Sequence, residues 1–134
     1  MKRLLTAFML AACIGLASCG EASMSSGQMK GNLEGKGYTV EVMGKTEAEA
    51  RIQGIKYVVD IKDALISSKG QDQAIIAFFC ANINDADKLV KENIQAMHGW
   101  AQRYTEEPKV GSHNNVAYAG SFDAVAAAGI PVSK

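Results

Sequence analysis

Three kinds of side chain in this sequence could carry covalent or acid–base chemistry. They are cysteine at 13, 19 and 80, histidine at 98 and 113, and carboxylates grouped as TEAEA (46–50), NDAD (84–87) and EE (106–107). A cysteine nucleophile needs an exposed thiol whose pKa is lowered by a helix N-terminus or a cationic neighbour. Cys80 instead closes the apolar run IIAFFC, where burial raises the pKa and makes the thiol inert. It does precede the longest helical pattern in the chain. A thiol or hydrolytic enzyme pairing Cys80 with His98 or His113 is therefore the alternative to a non-catalytic reading. No HxxxH, HExxH or CxxC spacing occurs, so neither a metal site nor a cofactor is expected. The first two acidic groups stand at helix starts, where carboxylates complement the helix dipole, and no catalytic residue is assigned among them. GNLEGKGYT (31–39) superficially resembles a phosphate loop. Only three residues separate Gly31 from Gly35 and Gly37 follows the lysine, whereas a phosphate loop has four between its glycines and a hydroxyl residue after the lysine.

The elements that would position these residues follow from the hydrophobic periodicity. YTVEVM (38–43) alternates as a half-buried strand. KTEAEARIQG gives a short helix, with Thr46 and Glu49 at capping-box spacing and Gly54 at its stop. YVVDIKDALI and AIIAFFCA, joined by the turn-rich SSKGQDQ, form a long hairpin. In NDADKLVKENIQAMHGWAQRY, Ala86, Leu89, Val90, Ile94, Met97, Ala101 and Tyr104 recur at helical spacing, capped by Asn84 or Asp85. HNNVAYAG is a fourth strand, and SFDAVAAAG a terminal helix with Ser121 as its cap. The order is β-α-β-β-α-β plus a C-terminal helix. This is an α+β class with an antiparallel sheet and helices on one face, the split βαβ or ferredoxin-like arrangement. The alternative is a four-strand meander, again with helices on one face.

The third strand raises a packing question. Ile75, Ala77 and Phe79 point to one side, and Ile76, Phe78 and Cys80 to the other. In a two-layer domain one side would be left open, exposing Ile76 and Phe78 beside Val58. Such a patch marks an interface or ligand surface, so a protein partner or self-association through the sheet face is expected there. Cover by the N-terminal segment or the C-terminal helix is the competing expectation.

The first residues carry the strongest signal. MKR is followed by the apolar LLTAFMLAACIGL and then by small residues, the layout of a secretory signal peptide. The apolar stretch is shorter than the roughly 20 residues a spanning helix needs. Leu16-Ala17-Ser18-Cys19 resembles the bacterial lipobox. That resemblance implies a diacylglyceryl group on the Cys19 thiol, cleavage before it, and acylation (palmitate-type chains) of the new N-terminus. Two or three chains make a durable anchor, because each buried methylene contributes about 0.8 kcal/mol. Cys13 would leave with the signal, and Cys80 would be the sole free thiol. Beyond the lipobox, the chain is similar in layout to small bacterial envelope lipoproteins of unknown function, and NNVAYAGSFDAVAAAG has the look of a strand–helix unit common among them. The domain organisation expected is a signal peptide over 1–18, a lipidated cysteine with a flexible polar tether over 19–32, and one α+β domain over 33–134. The tether's composition implies a reach of about 20 Å.

From Cys19 onward there are 12 basic and 14 acidic side chains, a net of −2. A nucleic-acid binder needs a concentrated basic face, so that class is set aside. The expected function is a non-catalytic binding or interaction module, lipid-anchored in the cell envelope. Aspartate after the lipobox cysteine favours inner-membrane retention in that family. Gly20 is not that signal, which implies the outer membrane in a diderm and the outer face of the cytoplasmic membrane in a monoderm.

Overall fold

The computed structural model describes residues 23–133. The expected signal segment, the lipobox-like residues 16–19 and Cys19 itself lie outside the described residues. The chain forms α1 (Ser26–Glu34), β1 (Thr39–Gly44), α2 (Lys45–Arg51), β2 (Ile61–Lys69), β3 (Gln73–Cys80), α3 (Ile83–Gln102), β4 (Lys109–His113), β5 (Val116–Gly120) and α4 (Phe122–Ala127). The fold is α+β, built on one open five-stranded antiparallel sheet in the order β1-β2-β3-β5-β4.

Two details of the arrangement differ from the split βαβ plan. The first three strands are sequential neighbours, and β5 rather than β1 lies on the far side of β3. The helices also occupy both faces. Ile76, Phe78 and Cys80 are buried in one cluster with Ala86, Leu89, Val90, Met97 and Ala101 of α3. Ile75, Ala77 and Phe79 are buried in another with Met29 and Leu33 of α1 and with Ala124 and Val125 of α4. Every residue from Ala74 to Cys80 is thus buried, which explains why β3 reads as a continuous apolar run.

Helix α1 lies where a tether was expected, so the folded domain begins near Met24 instead of Leu33. Its glycine-rich sequence hides an i, i+4 pair, Met29 and Leu33, both completely buried. Ser25 caps it reciprocally with Gln28, and Ser26 Oγ donates to Asp63 Oδ2 at 2.6 Å. The expected fourth strand is the second arm of a hairpin. Asn114 takes a positive φ of 53° at the turn between β4 and β5, a conformation asparagine tolerates better than most residues. Helix α2 starts at a Gly44 N-cap without a side-chain bond, so Thr46 sits inside the helix rather than capping it. Helix α3 is capped by Asn82, whose Oδ1 accepts from the Asp85 amide at 2.8 Å, two residues ahead of Asn84 and three ahead of Asp85, the caps expected. The Ser121 cap of α4 is as expected, accepting from the Ala124 amide.

Candidate interaction surface

The residues expected to form an exposed sheet face do not form one. Ile76 and Phe78 have no exposed surface, and only Val58 remains open, at 39%. The physical reason is the second layer. Helix α3 and the segment from Ile55 to Val59 pack over this side of the sheet. Tyr57 meets the Phe78 ring edge-on at 5.9 Å between centroids, and its hydroxyl donates toward the carbonyls of Ala48 and Ile52, each 3.1 Å away. Burial, reinforced by Glu49, pushes the Tyr57 pKa up to about 12, so that hydroxyl remains a donor throughout the ordinary pH range.

Cys80 is free and completely buried. Its thiol faces the Phe78 carbonyl at 4.0 Å. Burial, with a smaller contribution from Asp85, pushes its pKa up to about 11. A thiol in that state is a poor nucleophile. His98 is exposed on α3, and His113 is half-buried with its ring nitrogen 3.3 Å from the Asn114 amide. The thiol-enzyme alternative therefore loses its nucleophile. Among the described residues there is no group of three or more histidine, cysteine or acidic side chains placed to hold a metal ion, and no helix long and apolar enough to cross a membrane. The carboxylates serve surface pairs. Arg51 bonds Glu41 and Glu47, Lys45 bonds Asp60, and Lys91 bonds Asp87. The lysine beside Asp60 and the arginine beside Glu41 hold those carboxyls below their usual range.

The raised Cys80 pKa has a measurable consequence. Below about pH 9 both the folded and unfolded chains hold the proton, and the thiol contributes no pH dependence. Between about pH 9 and 11 the unfolded chain gives the proton up while the folded chain keeps it. Stability should then fall with rising pH by up to about 1.4 kcal/mol per unit, roughly 2 kcal/mol in all. Urea titrations across that range should show a shallower decline in Cys80→Ala than in the parent. Parallel declines would refute the assignment.

Two buried asparagines organise the molecule, and sequence patterning gave neither. Asn93 occupies a core position of α3 and is 4% exposed, whereas its neighbour Ile94 is 44% exposed. Its Oδ1 accepts from the Lys56 amide at 2.6 Å, and its Nδ2 donates to the carbonyls of Lys56 and Leu89 at 2.8 and 2.9 Å. The helix kinks there, with Asn93 at φ −130°. Asn115, 2% exposed, repeats the device at the start of the domain. Its Oδ1 accepts from the Met24 amide at 2.8 Å, while its Nδ2 donates to the Met24 carbonyl at 3.1 Å and to the Cys80 carbonyl at 3.2 Å. Each amide satisfies backbone groups that no strand reaches. Beside Asn115 lies a polar cleft of about 490 Å³, walled by Ser25, Ser26, Lys62, Asp63 and Phe79 among others. Within it Ser26 bonds Asp63 and Ser25 bonds Gln28.

The described surface carries one cluster with the composition of a binding hot spot. At the C-terminal end of α3, the rings of Trp100 and Tyr104 lie 5.0 Å apart. The Arg103 guanidinium sits 5.6 Å from each ring centre, with one Nη donating to the Tyr104 hydroxyl at 3.3 Å. Trp100 also packs against the core beneath, which fixes the cluster on a rigid support. The three residue types are those most enriched where protein interfaces concentrate their energy. Compared with protein-family models, with curated proteins and with solved structures, the chain matches none. The WAQRY stretch, with aromatics four apart on one helical face, is the signal in the sequence that could have marked this cluster.

Proposed function

We propose that this chain is a lipid-anchored protein of the bacterial cell envelope whose small α+β domain acts as a non-catalytic interaction module. The observation that carries the reading is Leu16-Ala17-Ser18-Cys19, a lipobox-like sequence behind an apolar, positively started segment and just ahead of a folded domain. Cys19 would carry the diacylglyceryl group, and Gly20 would direct the protein outward in a diderm. The non-catalytic part is supported by the burial of Cys80 and its raised pKa. The partner-facing surface we assign to Trp100, Arg103 and Tyr104, in place of the covered face at Ile76 and Phe78.

Expression of the full chain and of Cys19→Ala in a bacterium tests the anchor. The parent should gain the mass of a diacylglyceryl group plus acyl chains and fractionate with membranes. Cys19→Ala should show neither change. Equal masses and equal partition for the two would overturn the reading.

A further inference from the structure

We propose that the anchored domain stands with its Met24–Asn115 end against lipid headgroups and its Trp100–Tyr104 end turned away from the bilayer. This rests on the lipid anchor proposed above and adds an orientation to it. The end of the domain nearest the anchor is defined by the sheet. The start of β2, the end of β3 and the start of β5 meet where Ile61 pairs with Cys80 and Phe79 with Val116. Asn115 joins Met24 to Cys80 at this same end, and the Asn82 cap begins α3 there. From that end β3 runs eight residues and α3 runs twenty, which carries them about 24 Å and about 30 Å respectively. Trp100, Arg103 and Tyr104 lie at the far end.

The tether is short on this scale. Only residues 20–23 intervene between Cys19 and the clamped Met24. Five residue steps reach at most about 18 Å when fully extended. Standing the domain end-on upon the α3 C-terminus would lift Met24 by about 30 Å, more than the chain can span. Charge does not compete with this constraint. The near end mixes signs, with Lys45 paired to Asp60 and Lys62 beside Asp63. Among its other exposed residues, Ser23, Ser25, Asn82 and Asn84 offer hydroxyl and amide groups, and Ala81 and Ile83 apolar ones, to a headgroup layer.

The test uses the full lipidated chain in phosphatidylethanolamine–phosphatidylglycerol vesicles that contain a headgroup-attached fluorescence quencher. Asn84→Cys and Gln102→Cys place a thiol-reactive fluorophore at exposed positions about 27 Å apart along α3. Cys80 is buried and stays unlabelled. With acylation confirmed by mass, quenching at 84 should exceed that at 102 several-fold. A twelve-residue glycine–serine insertion after Gly20 should bring the two toward equality. Equal or reversed quenching in the acylated parent would overturn the orientation and leave the anchor standing. An insertion that changes nothing would overturn the tether as its cause. A chain of unmodified mass that does not float with the vesicles would overturn the anchor, and the orientation with it.

Discussion

Phe78→Ala should lower the unfolding free energy by about 4 kcal/mol, the scale on which fully buried phenylalanines are lost. Phe78 has no exposed surface and lies in the cluster shared by β3, α2 and α3. Its ring supports Tyr57, whose hydroxyl ties the segment after α2 back to the carbonyls of Ala48 and Ile52. The cavity would therefore loosen the cover as well as the core. For a domain of this size, with a typical total stability of about 5–15 kcal/mol, a shift of that size is read easily as a lowered urea midpoint. Val58→Ala, at a position that is 39% exposed, should move the midpoint by no more than about 0.5 kcal/mol. Similar small effects from both would restore the open sheet face that the structure removes.

Asn115→Ala should cost about 3 kcal/mol and release the start of the domain. The substitution removes a partner from the buried Cys80 carbonyl and from the half-buried Met24 amide and carbonyl, and a buried group left without a partner costs about 1–3 kcal/mol. Asn115→Asp separates hydrogen bonding from volume. It keeps the acceptor for the Met24 amide and loses both donated bonds, so most of the destabilisation should persist in a side chain of the same shape. Hydrogen exchange should show faster exchange confined to α1 and the Met24 segment, with β3 and α3 protected as in the parent. A uniform increase across the sheet would mean that Asn115 acts as core and not as a clamp.

How far the fold could be read from sequence follows from which interactions are periodic. Helix α3 was legible because its apolar residues repeat near 3.6 beneath a polar surface, and the β2–β3 hairpin because two apolar runs flank a turn-rich stretch, although Tyr57 and Val59, read as part of its first strand, lie in the segment before Ile61. The covered second face was not, since β3 looks the same whether one side or both are buried. Helix α1 escaped because Gly27, Gly31 and Gly35 mask the two residues that bury it. Asn93 and Asn115 escaped for a different reason. A buried amide that pairs with a distant backbone has no local pattern, and in isolation it reads as a helix surface or a turn. Ile94 was expected to be inside for the complementary reason, as an apolar side chain at helical spacing beside the position that Asn93 takes. The candidate site was the least legible part. The sheet face at Val58, Ile76 and Phe78 was argued from layer counting, and adding α1 and α4 changes the count.

The bond between Met24 and Asn115 joins residues 91 apart in sequence, and the Asn32 side chain reaches the Ala128 carbonyl across 96. Synthesis runs from the N-terminus, so α1 is among the first segments of the domain to appear and the last that can be locked. The β1-β2-β3 meander can close early through neighbouring contacts, which fold fastest. Its Ile75–Phe79 side must then wait for the β4–β5 hairpin and α4. During that interval the nascent domain carries an apolar strand with one side uncovered. The residue that secures the beginning of the domain is therefore supplied near its end.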